Sequence, residues 1–137
     1  MSKLIALAAT GLVVAALTSS AVASSPSVVK PATSKYGTVL FDSRGFSLYS
    51  FTRDTKGHST CSGGCAAKWP PYVVKGHPTG HLLGVVIRAD GSHQLTYAGR
   101  PLYHYVGDTK AGQILCQGVT NFGGRWLVVT PSGATVK

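Results

Sequence analysis

The residues best equipped for chemistry cluster around Cys61-Ser-Gly-Gly-Cys65, with His58 three places upstream. Two thiols this close can form a disulfide, because the intervening glycines let the loop close to the required Cα separation. Thiolate and imidazole together can also hold Zn2+ or Cu(I), which makes His58, Cys61 and Cys65 candidate ligands for a metal of unknown identity. The spacing matches none of the standard zinc patterns. A third cysteine, Cys116, stands apart. Three single-bridge pairings are possible, and each leaves one thiol over. Cys61–Cys65 is the leading pairing, with Cys116 as the possible free thiol; Cys61–Cys116 is the runner-up. His77 and His81 are four apart, but Pro78 and Gly80 beside them exclude one helical face. There is no C-x-x-C-H haem motif and no G-x-S-x-G nucleophile elbow. No cofactor is expected.

General acid–base chemistry needs carboxylates to spare, and the chain has four, all aspartate. Asp42-Ser-Arg-Gly45 and Asp54-Thr-Lys-Gly57 carry the Asp-first, Gly-fourth pattern of type I turns. Asp108 opens a similar turn, one residue longer, that ends at Gly112, and Asp90-Gly91 is a hairpin signal. Each aspartate is expected to accept a hydrogen bond from the backbone N–H two residues on. No carboxylate pair is left over, so a non-enzymatic protein is expected.

The elements that hold these residues are written twice. LYSFTRDTK (48–56) and LYHYVGDTK (102–110) are 54 positions apart. The offset pairs Tyr49 with Tyr103, Phe51 with Tyr105 and Asp54 with Asp108. With one inserted residue near Ala111, Cys61 falls opposite Cys116. Each half later reaches a tryptophan, Trp69 and Trp126. In a strand, alternate side chains share a face, so Tyr49 with Phe51, and Tyr103 with Tyr105, each form an aromatic face. Core filling explains such faces better than stacking on a sugar or a base. Thr38–Asp42, Phe46–Thr52, Leu82–Arg88, His93–Tyr97, Pro101–Val106 and Arg125–Thr130 read as strands separated by Gly, Asp and Pro turns. The expected fold is all-β. Two β-hairpin-rich repeats, about 36–78 and 82–131, form one compact antiparallel sandwich or small barrel with pseudo-twofold symmetry.

The first residues read as an address. Lys3, an apolar run from Leu4 to Leu17 and Ala21-Val-Ala23 predict a secretory signal peptide over 1–23, cleaved near Ala23–Ser24. The run is too short to cross a bilayer, so no transmembrane helix is expected in the mature chain. No lipid-attachment cysteine lies at the cleavage point. Residues 24–35 are expected to be a flexible leader and 36–137 a single β-domain. The formal net charge is +9, from 13 Lys+Arg against four acids. Such a surface could favour anionic envelope polymers, phospholipid or nucleic acid, but the cations are spread singly, which favours a soluble secreted protein with scattered Lys over any of these; nucleic acid is not expected, and anionic envelope polymers stay as a candidate.

Tyr49-Ser-Phe51-Thr-Arg-Asp54 and Tyr103-His-Tyr105-Val-Gly-Asp108, together with CSGGCAAKWPP (61–71), RADGSHQLTYAGRPLY (88–103) and Gln117-Gly118, resemble a known pattern. It is that of the bacterial "secreted repeat of unknown function" family, also described as predicted lipoproteins with a Tyr-x-aromatic-x-x-Asp motif. The likeness covers about residues 36–131. It implies export, often with a lipid anchor, and no general activity. The missing lipid-attachment cysteine, and Cys116 where a glycine is expected, are departures. The sequence therefore predicts an exported, non-enzymatic envelope or secreted β-domain with a binding or structural role. The alternative is a redox or copper- or zinc-handling module built on the Cys/His cluster.

Overall fold

The computed structural model describes Lys3, residues 11–21 and residues 27–137. Part of the expected signal peptide, with its cleavage point at Ala23–Ser24, lies outside the described residues. Residues 11–21 form no helix or strand and leave Leu12, Val13, Val14 and Leu17 exposed. Among the described residues no helix is long and apolar enough to cross a membrane.

Nine short strands and one helical turn follow among the described residues. They are β1 (Val29–Ser34), β2 (Gly37–Asp42), β3 (Tyr49–Phe51), α1 (Gly64–Lys68), β4 (Val73–Val74), β5 (Leu83–Ile87), β6 (His93–Tyr97), β7 (Arg100–Pro101), β8 (Thr120–Asn121) and β9 (Gly124–Val128). All named pairings are antiparallel. The first repeat opens with the hairpin β1–β2 and the second with its counterpart β5–β6.

The halves then exchange strands. β4 belongs to the first repeat but pairs with β6 of the second, Val73 opposite Gln94. β9 belongs to the second but pairs with β3 of the first, Phe51 opposite Trp126. The backbone repeats the pattern: Leu95 N–H donates to Tyr72 O at 2.8 Å, and Leu40 N–H donates to Val129 O at 2.9 Å. Neither half completes its own sheet. The all-β, two-repeat expectation holds, with this exchange as its unanticipated feature.

Strands near the pseudo-twofold axis are buried on both faces. Tyr49, Phe51, Tyr103, Trp69 and Trp126 fill one cluster. Leu48, Leu102, Leu40 and Leu95 fill a second. Period-two alternation therefore separates two cores, aromatic and aliphatic, in place of core from solvent.

The expected flexible leader is corrected at Val29. From there to Ser34 the chain is β1, paired along its whole length with β2. Its middle four side chains are exposed, so it carries none of the apolar alternation by which a strand is read. Among the described residues its outer edge is unpaired, and it is blunted. Leu40 directs its N–H and C=O away from β1, to Val129 and Leu48. Its partner Pro31 therefore faces outward, and proline has no N–H to offer an incoming strand.

Candidate functional site

The duplicated motif meets itself at the axis. Tyr49 and Tyr103 exchange both backbone hydrogen bonds, each N–H to the other's carbonyl at 2.9 Å. Their side chains then cross to the opposite repeat. Tyr49 Oη donates to Asp108 Oδ2 at 2.6 Å, and Tyr103 Oη donates to Asp54 Oδ2 at 2.7 Å. The second oxygen of each aspartate holds its own repeat's loop: Thr60 N–H reaches Asp54 Oδ1 at 2.8 Å, and Leu115 N–H reaches Asp108 Oδ1 at 3.0 Å. Loop backbone adds a third reciprocal pair. Gly57 N–H donates to Gly99 O at 2.7 Å, and Gly112 N–H donates to Gly45 O at 2.9 Å.

Gly45 and Gly99 have to be glycine for two reasons. Their φ values are +93° and +78°. A Cβ would also stand 3.1 Å from Ala111 Cβ at Gly45, and 2.4 Å from Lys56 Cγ at Gly99. The Lys56 stem of one motif is thus laid across the glycine of the other repeat.

This corrects the turn reading for two aspartates. Asp42 and Asp90 do accept the N–H two residues on, from Arg44 at 2.8 Å and Ser92 at 2.9 Å. Asp54 and Asp108 do not. They reach six and seven residues forward and across the axis, because the phenols of the other repeat offer strong donors to a carboxylate. The tight turn after Asp54 is closed by Thr55 and His58 instead. Burial raises the pKa of Tyr49, and the Asp108 bond adds to it. Burial likewise pushes Tyr103 up to about 12; the Ser59 bond opposes the rise and the Asp54 bond supports it. Both phenols stay protonated donors. A double-mutant cycle with Tyr49→Phe and Asp108→Ala is expected to give a coupling of about 1–3 kcal/mol by denaturant unfolding. Additive effects within about 0.5 kcal/mol would remove the cross-repeat bond from the account.

The other aromatics join the same cluster. Trp69 and Trp126 stack at 4.0 Å with their planes 3° apart, and Phe51 stacks on Trp126 at 4.2 Å. Tyr105 differs from its counterpart Phe51. It is half-exposed and tilts against Trp69 at 4.8 Å.

Cys61 and Cys65 form a disulfide with Cα atoms 5.3 Å apart, within the range such bonds require. The leading pairing therefore holds. Cys116 is free and half-buried, and the nearby Cys116 raises the Tyr105 pKa. With both sulfurs bonded to each other, the His58–Cys61–Cys65 set keeps only the imidazole as a ligand in this form. Arg88 braces the disulfide loop by donating to Cys61 O at 2.7 Å, and to Ser59 Oγ and Gln94 Oε1 at 2.8 Å each. Nothing in the spacing of Arg88 signals this role; only the β5–β6 hairpin brings it there.

A second contact invisible in the sequence joins His104 to Asp42, 3.0 Å from Nε2 to Oδ2. Burial holds the His104 pKa below its ordinary 6.5 despite the carboxylate. Burial would raise Asp42, but N–H bonds from Phe46 and Arg44, with His104, hold it below 3.8. An unfolded chain therefore takes up the His104 proton first. That contribution is whole above pH 6.5 and is lost as pH falls from 6.5 toward the folded value; Asp42 adds a further loss below 3.8. His104→Gln is expected to flatten the slope of unfolding free energy between about pH 7 and 5. An unchanged slope in urea melts would assign the acid sensitivity elsewhere.

On the outside, a groove of about 790 Å³ opens between β1 and residues 111–115. Pro31, Ala32, Phe41, Ile114 and Leu115 give it apolar walls, and Lys30 and Lys35 stand among them. The carboxylates are distributed very differently from the cations. Asp42 and Asp108 are buried, Asp54 is half-buried behind its bonds, and Asp90 alone is exposed.

A family model described as a secreted repeat of unknown function matches residues 30–72 and 84–130. The two matches begin 54 residues apart, and the first takes in most of β1. No curated protein and no solved structure matches the chain.

Proposed function

The chain belongs to the family of secreted repeats of unknown function, and we propose that this member is a non-catalytic exported domain that binds anionic polymers of the cell envelope. The observation that carries this reading is the segregation of charge. Thirteen Lys and Arg face only four aspartates, and three of those four are withdrawn into the fold. The charged groups exposed at the surface are thus mostly cations, on a formal net charge of +9, and a field of one sign concentrates polyanions at the surface. The non-catalytic part rests on the motif itself, whose phenols and carboxylates are occupied by each other. The groove beside Lys30 and Lys35 is the place where an extended chain would meet both cations and apolar walls.

Retention on immobilised teichoic acid or polyphosphate tests the proposal. Binding is expected at low ionic strength, falling steeply as salt shortens the screening length from about 30 Å at 0.01 M to about 8 Å at 0.15 M. Lys30→Gln with Lys35→Gln should weaken it. Absence of retention, or retention indifferent to salt, would overturn the proposal.

A further inference from the structure

We propose that His77 and His93 form a surface site for a borderline divalent transition-metal ion, with Cu2+ preferred. The two residues are 16 apart in sequence and belong to no shared motif. The fold joins them. β4 pairs Val74 with His93 at the start of β6, and the chain then turns through Lys75 and Gly76, φ +63°. That turn sets the two imidazole rings 5.0 Å apart, centre to centre, with planes 65° apart.

Two features make this a ligand pair. First, His93 Nδ1 lies 2.8 Å from the Gly76 carbonyl oxygen. A carbonyl only accepts, so Nδ1 carries the proton and the neutral ring keeps its lone pair on Nε2. Metal-binding imidazoles are commonly fixed this way, with one nitrogen donating to a backbone carbonyl. Second, the ring separation fits a shared ion. A metal about 2.0–2.1 Å from one nitrogen of each ring lies about 3.2 Å from each ring centre. Centres 5.0 Å apart then subtend about 100° at the ion, close to both tetragonal and tetrahedral angles.

The donor set selects the class of ion. Two neutral imidazoles without carboxylate or thiolate suit Cu2+, Ni2+ or Zn2+ over Mg2+ or Ca2+, and among the first group affinity peaks at Cu2+. Water fills the remaining positions. This pair is separate from the His58–Cys61–Cys65 set, where the disulfide occupies both sulfurs. It is also separate from His104, which Asp42 engages.

The test is titration of the secreted, disulfide-bonded protein with Cu2+, followed by electron paramagnetic resonance and calorimetry. One equivalent should bind with nitrogen hyperfine structure from at least two imidazoles. His77→Gln and His93→Gln should each weaken that binding by tenfold or more, whereas His58→Gln should leave it unchanged. Mg2+ should not compete. His58→Gln and His77→Gln should melt at the temperature of the metal-free parent, since both residues are exposed, whereas His93→Gln also gives up the bond to Gly76 O. Binding that survives His77→Gln with His93→Gln, or that is lost in His58→Gln, overturns the site, as does failure of Cu2+ to bind at micromolar concentration. Failure here would leave the polyanion reading intact, since that depends on Lys30, Lys35 and salt.

Discussion

Residues 27–78 and 79–137, prepared as separate fragments, are each expected to be unfolded and to fold when mixed. The first fragment contains two strands whose only named partners are in the second, β4 with β6 and β3 with β9, and the second fragment loses one neighbouring strand from each of those sheets. Each also leaves a motif tyrosine without its aspartate, Tyr49 without Asp108 and Tyr103 without Asp54. A domain of this size is stable by only about 5–15 kcal/mol. Separation forfeits the Trp69–Trp126 stack, the exchanged strands and both buried phenol bonds together. Far-UV circular dichroism and a denaturant melt of each fragment provide the check. A cooperative transition from either fragment alone would show that the exchange is not obligatory.

Trp69→Ala is expected to be the most damaging single truncation, at about 3–5 kcal/mol. Its ring is fully buried and touches Trp126, Tyr49 and Tyr105, so its loss opens a cavity where the repeats meet. The two tryptophans differ in one respect that gives a sharper check. Trp126 Nε1 donates to Asn121 O at 3.1 Å, whereas Trp69 Nε1 has no hydrogen-bond partner among the described residues. Phenylalanine at 126 leaves a carbonyl unpaired; at 69 it removes an uncompensated donor, which costs about 1–3 kcal/mol to bury. Trp126→Phe should therefore destabilise more than Trp69→Phe by about 1 kcal/mol or more, read from urea midpoints at constant slope. Equal losses would place a partner on the Trp69 nitrogen.

What could be read from the sequence follows how local each cause is. The strands Thr38–Asp42, Leu82–Arg88 and His93–Tyr97 are visible because their periodicity and turns are local, and they recur as β2, β5 and β6 with ends shifted by a residue or so. The Cys61–Cys65 bridge is legible because loop length and glycine content decide it. β1 is hidden by its exposed side chains and Pro31, although extending the 54-residue offset from β5 back to Val29 would have revealed it. Asp54 and Asp108 read, in sequence, by the chemistry of neighbours two residues away. Their stronger partners are tyrosines 49 and 59 positions distant, and only the strand exchange brings those within reach. His104 beside Asp42, and His93 beside His77, are of the same kind. Neither pair shares a motif, and each exists because two elements converge.

The paired bonds Tyr49–Asp108 and Tyr103–Asp54 have the form of an isologous interface, in which residue i of one unit meets residue j of the other and the reverse. Two separate copies of a one-repeat chain could make every one of these contacts around a true dyad. The covalent link through residues 75–82 converts that homodimer geometry into a single polypeptide and frees its halves to diverge. Cys65 has no cysteine counterpart in the second repeat, and His104 has Ser50 as its counterpart in the first. Fusion thus gives an obligatory dimer the one thing symmetry forbids it, a surface on which the two sides differ.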